Sequence, residues 1–395
     1  MSHLMNTYNR LPLAFTHGKG AWLYGEDGKE YLDALAGIAV NGLGHGHPKL
    51  VQALSDQAGK LIHTSNIYRV REQEQLADRL CAISGMQEVF FGNSGAEANE
   101  AALKLVRFYG HKHDNPQAQT IVMRNAWHGR TLATLAATGS EKARKGFAPF
   151  PTGFIQVPYN DLEAVERAAA ADPRVQAIWL EVLQGEGGIN VADRTYVRAL
   201  RDLCDRRGWL LMIDEVQSGT GRTGKWFGFQ WSDIQPDVVT VAKGLGSGVP
   251  IGAIATTGRG AGVFGPGNHG TTFGGGPFAC RAGLETLRIL EEENLLANAG
   301  AQGERLRAGL ARELAGVAGV VAIRGKGLMI GVELDRPCSE IVTLALAARL
   351  LINVTQESVI RLLPPLIIDA QETDEIVARL APCIRQFASA ARRVA

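Results

Sequence analysis

A lysine and an aspartate at the ends of two apolar runs are the residues best placed to do chemistry in this sequence. Lys243 follows the run Val238 to Ala242, and Asp214 ends the run Leu210 to Ile213. Because ligands bind at the carboxyl ends of strands in an open α/β sheet, we expect both side chains at one crevice. Partial desolvation there lowers the pKa of a lysine and makes its neutral amine a candidate Schiff-base nucleophile. Considered alone, Lys243 is more simply a surface lysine at a strand end.

The carboxylate of Asp214 adds a second functional group to this crevice. It can pair with a pyridinium nitrogen, which keeps the ring protonated and able to accept electrons. The strand period of two puts Val216 on the same face as Asp214 if the extended backbone continues, so Val216 can pack under a ring. The alternative, that Asp214 only caps a helix or turn, is weakened because no helix obviously starts there. Lysine, carboxylate and apolar floor together suit pyridoxal 5′-phosphate.

A phosphate cradle is predicted at Ser94, Gly95 and Ala96, where the chain passes from the apolar run Glu88 to Phe91 into a helix. Backbone N–H groups at a helix N-terminus bind anions, and glycine permits close approach. Ser94 and Glu97 also have the spacing of a capping box. The two interpretations are compatible, since a capped helix start still offers its first-turn donors.

The segment Trp127-His128-Gly129-Arg130 follows another apolar run. Trp127 offers a surface that can stack on a ring, and the guanidinium of Arg130 can hold a carboxylate with two hydrogen bonds. A lone Trp is more often a core residue and a lone Arg more often solvated. From the residues alone, the functional and the structural interpretation both stay open.

Two other motifs are interpreted as structural. Gly219 to Gly224 matches G-x-G-x-x-G and, with Lys225, nearly completes a nucleotide-binding loop, but Trp226 stands where a magnesium-binding hydroxyl is needed. We therefore predict a glycine-rich loop leaving a strand. The pair His45 and His47 has no third ligand nearby, so a turn before a helix that starts at Pro48 is favoured, and no metal site is predicted.

The central part of the chain alternates short apolar runs with amphipathic helical segments, such as 98–109 and 195–207. This alternation is typical of an α/β fold with a mostly parallel sheet covered by helices. The predicted strands are Glu88–Phe91, Thr120–Met123, Ala177–Leu180, Leu210–Ile213 and Val238–Val241.

The two ends of the chain differ from this pattern. Residues 1–50 are rich in glycine and turn residues, whereas residues 281–395 are dominated by long helices, 284–292 and 298–313 among them, with a strand at 328–334. We expect both ends to combine into a smaller α+β domain, and residues 51–280 to form the large domain that binds the cofactor.

Composition restricts the possible partners. The 41 basic and 40 acidic residues leave no bulk field to attract nucleic acid or an anionic membrane, so recognition is expected in pockets. No apolar segment has the length of a membrane span, and the first residues do not resemble a signal peptide, which predicts a cytoplasmic protein. The five scattered cysteines are expected to be reduced and mostly buried.

Taken in order, the Ser94-Gly95-Ala96 turn, Trp127 to Arg130, Asp214 and Lys243 closely resemble the class III aminotransferases of fold type I. The resemblance runs from about residue 7 to the C-terminus. Within the class, the chain is similar to the acetylornithine aminotransferase subgroup. The segments that carry this finer similarity are Tyr31-Leu32-Asp33, Ala36 to Asn41, Gly185-Glu186-Gly187-Gly188 and Ile213 to Gln217.

The resemblance implies a role for each matching position at the cofactor ring. Lys243 is the Schiff-base lysine and proton carrier, and Asp214 contacts the pyridinium nitrogen. Val216 and Trp127 sandwich the ring, while Gln217 contacts its hydroxyl. These roles come from the family.

Two further roles are implied for the phosphate. Ser94, Gly95 and Ala96 hold it from one subunit, and Thr272 reaches the phosphate of the neighbouring subunit's cofactor. The resemblance therefore implies a homodimer with shared active sites.

The resemblance also implies how small amino and 2-oxo acids bind. Arg361 holds the α-carboxylate of glutamate or 2-oxoglutarate, and Glu186 masks Arg361 when an ω-amino donor enters. Arg130 binds the distal carboxylate. A mobile salt bridge thereby lets one site accept two unlike substrates.

Two positions depart from related sequences. Glu181-Val182-Leu183-Gln184 lacks the proline that often follows the glutamate in this class, which affects local loop geometry. Ile38 stands where ornithine aminotransferases carry a tyrosine near the free α-amine of the substrate. An apolar residue fits an acylated α-amine better, which favours N-acetylornithine over ornithine.

The predicted reaction transfers the δ-amine of N-acetylornithine to 2-oxoglutarate and belongs to arginine biosynthesis. Succinylornithine and succinyl-diaminopimelate fit the same charge pattern and stay open as donors. A pyridoxal-dependent aminomutase or decarboxylase would share Lys243 and Asp214, but would not need the pair Glu186 and Arg361. Loss of Lys243 or Asp214 would be expected in a catalytically silent binding protein, and both are present.

Overall fold

The structure is a computed structural model that describes residues 3–391. Its strands are β1 (Phe15–Lys19), β2 (Trp22–Gly25), β3 (Glu30–Asp33), β4 (Glu88–Gly92), β5 (Gln119–Met123), β6 (Phe154–Val157), β7 (Val175–Leu180), β8 (Leu183–Gln184), β9 (Asn190–Val191), β10 (Leu210–Asp214), β11 (Val238–Val241), β12 (Gly252–Thr256), β13 (Val320–Lys326), β14 (Met329–Leu334), β15 (Leu350–Leu351), β16 (Asn353–Thr355) and β17 (Val359–Leu362).

Helices cover the sheets and form many of the connections between strands. They are α1 (Ala36–Ala39), α2 (Pro48–Ala58), α3 (Arg71–Ser84), α4 (Gly95–Lys112), α5 (Leu132–Ala137), α6 (Glu141–Arg144), α7 (Leu162–Ala171), α8 (Arg194–Arg207), α9 (Pro277–Glu292), α10 (Leu295–Glu313), α11 (Glu340–Ala347) and α12 (Ala370–Ala391). In the described part of the chain, no helix has the length and apolarity needed to cross a membrane.

A seven-stranded sheet with the order β4-β12-β11-β10-β7-β5-β6 forms the centre of the molecule. Strands β5, β6, β7, β10 and β11 run parallel to one another, and β12 runs antiparallel to both β4 and β11. Strands β10, β11 and β12 are buried along their whole length, which explains why they are continuous apolar runs. The predicted α/β fold with a mostly parallel, helix-covered sheet is confirmed.

Each of the five predicted central strands is present, within one or two residues of its expected ends. The sequence-based prediction did not include β6 or β12. β12, with the sequence Gly-Ala-Ile-Ala-Thr, is made mostly of small residues that carry little strand signal, and its place in the sheet is set by pairing with β4 and β11.

The two chain ends meet in space through β3 and β15, which pair in parallel at Leu32 and Leu350. Nearby, the Trp22 indole N–H donates to Glu372 in α12 at 2.8 Å. A separate sheet, antiparallel throughout and with the order β13-β14-β17-β16, belongs entirely to the C-terminal part. The residue bounds of the two predicted domains, at 50 and 280, stay a prediction.

The segment labelled α1 is a left-handed turn. Ala36, Gly37, Ile38 and Ala39 have φ angles of 48°, 63°, 66° and 61°. Left-handed backbone costs a non-glycine residue about 1–2 kcal/mol. The carboxylate of Asp33 compensates part of this cost, because it accepts the backbone N–H groups of Leu35 and Ala36 at 2.9 and 2.8 Å.

The segments interpreted as structural behave as predicted. His45 contacts Asp33 at 2.8 Å, His47 precedes α2, and Pro48 occupies the first turn of that helix. Four of the five cysteines are buried, as expected, and Cys81 is half-buried. The loop from Gly219 to Gly224 follows β10 as mostly buried turns.

Candidate active site

The candidate site lies at one edge of the central sheet, where β4, β5, β7, β10 and β11 all end. Loops from these strands surround a cavity of about 430 Å³. Nine of the twelve residues predicted for the site line it: Ser94, Gly95, Ala96, Trp127, Arg130, Asp214, Val216, Gln217 and Lys243. Parallel strands bring these nine together because their carboxyl ends share one edge.

Lys243 begins a short 3-10 turn immediately after β11. Its φ of 40° is left-handed, a conformation that non-glycine residues keep only where the surroundings impose it. Within the described residues, its amine has no hydrogen bond or ion pair. Desolvation, reinforced by the Arg361 guanidinium, lowers the pKa of Lys243 to about 8. The cavity therefore contains a lysine amine that gives up its proton readily.

Asp214 is a buried carboxyl group held in place by three donors. The imidazole of His128 and the amide of Asn99 each contact its Oδ2 at 2.8 Å, and the backbone N–H of Val216 donates to Oδ1 at 3.0 Å. His128 in turn stacks on Trp179, with ring centroids 3.7 Å apart. These three contacts fix the position of the buried carboxylate.

The end of the cavity where the phosphate cradle was predicted is the N-terminus of α4, an 18-residue helix. Ser94 caps the helix by accepting the N–H of Glu97 at 3.2 Å, while the Glu97 carboxylate accepts the N–H of Asn93. Gly95 is needed for close packing, because a Cβ there would lie 2.7 Å from Val216 Cγ1. This is the capped helix start with free first-turn donors that the sequence predicts.

Trp127 and Arg130 lie together in the wall of the cavity. The Arg130 guanidinium lies over the Trp127 ring, 4.6 Å from its centroid. No salt bridge engages Arg130 among the described residues, so this cation faces the site with its hydrogen-bonding capacity free.

Glu181 is a buried carboxyl at the end of β7 that sequence reasoning did not assign to the site. It accepts the backbone N–H groups of Trp127 at 2.9 Å and Gly185 at 3.1 Å. Burial, followed by repulsion from Asp214, raises the pKa of Glu181 to about 8. Glu181 therefore ties the Trp127 loop to the loop that carries Glu186.

Arg361 and Glu186 form the salt bridge that the resemblance implied. Arg361 is fully buried on β17, and its Nη1 contacts Glu186 Oε1 at 2.6 Å and Gln217 Oε1 at 3.2 Å. Its Nε donates to Asn353 at 3.1 Å. The remaining nitrogen, Nη2, has no hydrogen-bond partner among the described residues.

That unpartnered nitrogen indicates what this end of the site can bind. A buried guanidinium N–H without an acceptor is costly, and a carboxylate satisfies Nη1 and Nη2 together in a bidentate pair. Glu186 contacts only Nη1, and its side chain is 30% exposed, so its carboxylate can move away from Arg361. Gln217 connects Arg361 to the cavity that holds Lys243.

Thr272 lies outside the cavity, on an exposed loop. The preceding residue, Thr271, contacts the Asn93 amide at 3.4 Å, so the loop packs beside the predicted phosphate cradle. Phe273 is 67% exposed. The position of Thr272 suits contact with another molecule.

The residues present fit pyridoxal 5′-phosphate. A nucleophilic amine, a fixed carboxylate and a helix N-terminus surround one cavity, and the apolar side chains of Val216 and Trp127 line it as well. The described residues contain no group of three or more His, Cys, Asp or Glu side chains placed to hold a metal ion.

Two more residues that support the site were not predicted. Asn99 could have been found from its sequence position, because it is a polar residue on the apolar face of α4, where Ala98, Ala101 and Ala102 are buried. His128 belonged to a predicted motif, but its contact with Asp214 joins residues 86 positions apart, which no local pattern encodes.

Comparison with known proteins supports this geometry. Residues 4–384 match the family model described as aminotransferase class-III. The chain is 63% identical to acetylornithine aminotransferase 1 of Bordetella bronchiseptica over 98% of both chains. It is 54% identical to the acetylornithine aminotransferase of Nitrosomonas europaea, again over 98% of each.

Solved structures give the same result. The ornithine aminotransferase of Toxoplasma gondii superimposes with a TM-score of 0.94 and 32% identity, over 98% of this chain and 94% of that one. For the N-acetylornithine aminotransferase of Stenotrophomonas maltophilia the TM-score is 0.84 and the identity 35%, over 97% and 98%. The chain belongs to the class-III aminotransferases, enzymes of fold type I that use pyridoxal 5′-phosphate as their cofactor.

Proposed function

We propose that this enzyme transfers the δ-amine of N-acetylornithine to 2-oxoglutarate, giving N-acetylglutamate semialdehyde and glutamate in arginine biosynthesis. The observation that carries the proposal is the salt bridge between Glu186 and the buried Arg361, beside the Lys243 cavity. The names of the relatives that are 54–63% identical support the choice of donor.

The cofactor supplies an electron sink that stabilises negative charge on the carbon bearing the amine. Lys243 would hold the cofactor through Nζ. Its amine, which lines the cavity, would carry the proton that leaves the substrate carbon. Its lowered pKa, about 8, keeps a useful fraction of the amine neutral near pH 7.

The other cavity residues orient the ring. Asp214, fixed by Asn99 and His128, would pair with the ring nitrogen of the bound cofactor. Val216 and Trp127 would pack against the ring, and Gln217 would contact the ring hydroxyl. The apolar faces exclude water, which strengthens the pairing at Asp214.

The phosphate is held by the first turn of α4, through Ser94, Gly95 and Ala96, and by Thr272 of the partner subunit in a homodimer. The exposed apolar residues beside Thr272 support a subunit interface there, because surfaces of this kind are usually covered by a partner. They are Ile62, Ile67, Tyr68 and Phe273, which are 61%, 84%, 68% and 67% exposed. The cytoplasmic location stays a prediction.

Two unlike substrates share this site through the Arg361–Glu186 pair. N-acetylornithine enters by its δ-amine and brings no carboxylate to Arg361, so Glu186 neutralises the arginine. Arg130 binds the α-carboxylate at the far end of that substrate. With 2-oxoglutarate, Glu186 leaves and the α-carboxylate takes both guanidinium nitrogens, while Arg130 binds the second carboxylate.

Succinylornithine and succinyl-diaminopimelate are the alternative donors. Ile38, which favoured an acylated amine, does not line the cavity; it is partly buried beside Leu183 and Ile189. Its bearing on the donor is therefore indirect and stays a prediction.

Steady-state glutamate formation from 2-oxoglutarate tests the donor directly. We expect the highest kcat/KM with N-acetylornithine, lower values with the two succinyl donors, and the lowest with ornithine. A higher kcat/KM for a succinyl donor would show that this compound is the natural amine donor, and the proposed reaction type would stay the same. Amine rearrangement or carbon dioxide release without glutamate would instead indicate an aminomutase or a decarboxylase.

A further inference from the structure

The loop that carries Glu186 is held by side chains along its whole backbone. Residues 185–189 form the tip of the β8–β9 hairpin, and Gly188 and Ile189 have left-handed φ angles of 104° and 56°. A β-branched residue in this conformation is rare and persists only when its surroundings impose it. The contacts that impose it come mostly from the C-terminal part of the chain.

All four carbonyl groups of residues 186–189 accept side-chain hydrogen bonds. The carbonyl of Glu186 accepts from the hydroxyl of Thr355 and from the amide of Gln356 at 3.1 Å. The carbonyl of Gly187 accepts from Asn190 at 2.8 Å. The backbone around the switching carboxylate is therefore fixed, although the carboxylate itself is not.

Arg324 makes the remaining contacts and is the centre of this arrangement. Its Nη2 donates to the carbonyl of Gly188 at 2.7 Å, and its Nε lies 3.1 Å from the carbonyls of both Gly188 and Ile189. Its third nitrogen, Nη1, pairs with Glu333 on the neighbouring strand β14. The planar fork of arginine suits this task, which the single ammonium group of lysine cannot reproduce.

These contacts tie the loop to the same C-terminal sheet that carries Arg361. Arg324 is on β13, Thr355 ends β16, and Arg361 is on β17. The backbone of Glu186 is therefore held by the same sheet that carries the guanidinium of Arg361. Glu186 can leave Arg361 by rotating its side chain, without movement of the loop.

We propose that Arg324 is a positioning residue that sets how often Glu186 masks Arg361, and thereby the balance between the two substrates. The proposal rests on the proposed function for its kinetic consequence, while its structural part stands separately. Without the fork of Arg324, the left-handed segment relaxes and the carboxylate of Glu186 spends less time on Arg361. The donor half-reaction, which needs the masked state, then slows, whereas the 2-oxoglutarate half-reaction does not.

Two measurements on Arg324→Gln test this. Hydrogen exchange of the backbone amides of residues 185–190 should become about tenfold faster, the effect of losing roughly one net hydrogen bond to a charged group. In single-turnover experiments on the holoenzyme, the ratio of donor to 2-oxoglutarate half-reaction rates should fall by a similar factor. Arg324→Lys, which retains the charge beside Glu333, should show most of both effects.

A matched control and a milder variant keep the test decisive. Arg307 also donates to a backbone carbonyl, that of Gly325, and pairs with Glu304, but it does not contact the loop. Arg307→Gln should leave both measurements unchanged. Gln356→Ala removes one hydrogen bond from an exposed side chain and should move both measurements in the same direction as Arg324→Gln, by less.

Unchanged exchange at residues 185–190 in Arg324→Gln would overturn the proposal. Faster exchange with an equal loss in both half-reactions would also overturn it, because Arg324 would then serve the fold alone. If the wild-type enzyme catalysed no transamination, the proposed function would fail, and the exchange experiment would still decide whether Arg324 holds the loop.

Discussion

The two ends of the site are built in different ways. The cofactor end, from Ser94 to Lys243, is assembled from loops that leave strands of one sheet. The carboxylate end joins Glu186, on a loop beside that sheet, to Arg361 on a C-terminal strand 175 positions away. In the proposed function, the chemistry common to all substrates therefore belongs to one layer, and the choice of substrate belongs to the place where two parts of the molecule meet.

The electrostatics of the two ends differ in the same sense. Asp214 accepts three hydrogen bonds, and these hold its side chain in one position. Arg361 keeps one buried nitrogen unsatisfied among the described residues, and its carboxylate partner is partly exposed. A satisfied network suits a permanent ligand, whereas an incomplete one suits ligands that alternate.

The largest effect is expected at the cofactor end, from Lys243→Ala. Both half-reactions should slow by about 10³-fold or more, because the covalent attachment and the proton carrier are lost together. Borohydride reduction followed by mass measurement should attach the cofactor to the wild type and leave the variant unlabelled. Labelling of the variant at another lysine would contradict the assignment.

Asp214→Asn should be the next most severe change. It removes a buried charge worth roughly 3–4 kcal/mol, which corresponds to a loss of kcat of about 10²- to 10³-fold. Both half-reactions should fall together, since both use the same ring. The control is Asp205→Asn, which changes an exposed carboxylate that pairs with Arg201 and Arg259. This control should leave kcat unaltered.

Arg361→Gln should divide the two half-reactions. The 2-oxoglutarate half-reaction should lose about 10²-fold in its second-order rate constant, because a bidentate charged pair is removed. The N-acetylornithine half-reaction should change by less than about tenfold, since its donor brings no carboxylate to this arginine. Equal losses in both would show that Arg361 supports the fold and does not select a carboxylate.

Gly95→Ala should have a smaller effect, confined to the cofactor end. The added Cβ would approach Val216 to 2.7 Å, and overpacking of this kind costs about 1–3 kcal/mol. Cofactor affinity, measured by titration of the apoenzyme, should fall by about tenfold or more. Gly262→Ala changes a glycine with open space around it and should leave that affinity unaltered.

The smallest expected effect is a pH dependence of the apoenzyme. Between pH 8 and 10.5 the unfolded chain keeps a proton on Lys243 that the folded chain has lost, since the folded pKa is lowered to about 8. The free energy of unfolding therefore rises with pH in this window because of Lys243. Relative to Lys243→Ala, the wild type should gain on the order of 1 kcal/mol in urea unfolding between about pH 8 and pH 9. A relative loss would mean that Lys243 is protonated in the folded state.

The same contrast explains what the sequence could predict. Lys243, Asp214 and the Ser94 turn each follow an apolar run, so local sequence made them candidates for one site once they were considered together. The pair of Glu186 and Arg361 needed a family resemblance, because residues so far apart share no local pattern. The contacts of Arg324 with the Glu186 loop were not predicted, since they join β13 to a hairpin more than a hundred positions earlier in the chain.

The strand and the site residue that the sequence-based prediction missed also have a physical explanation. The antiparallel strand β12 is made mostly of small residues, so its alternation and β-propensity are weak. Glu181 belonged to a motif that we interpreted only for its missing proline. Its two backbone hydrogen bonds, to loops after different strands, exist only in the folded chain.

The substitution Glu186→Gln tests the masking of Arg361 most directly, by stopped-flow absorbance of the bound cofactor in each half-reaction separately. We predict that the rate constant for N-acetylornithine falls by about tenfold or more, because the charge that masks Arg361 is lost, while the rate constant for 2-oxoglutarate stays the same or rises. Equal decreases in both, or a selective decrease with 2-oxoglutarate, would contradict the switch.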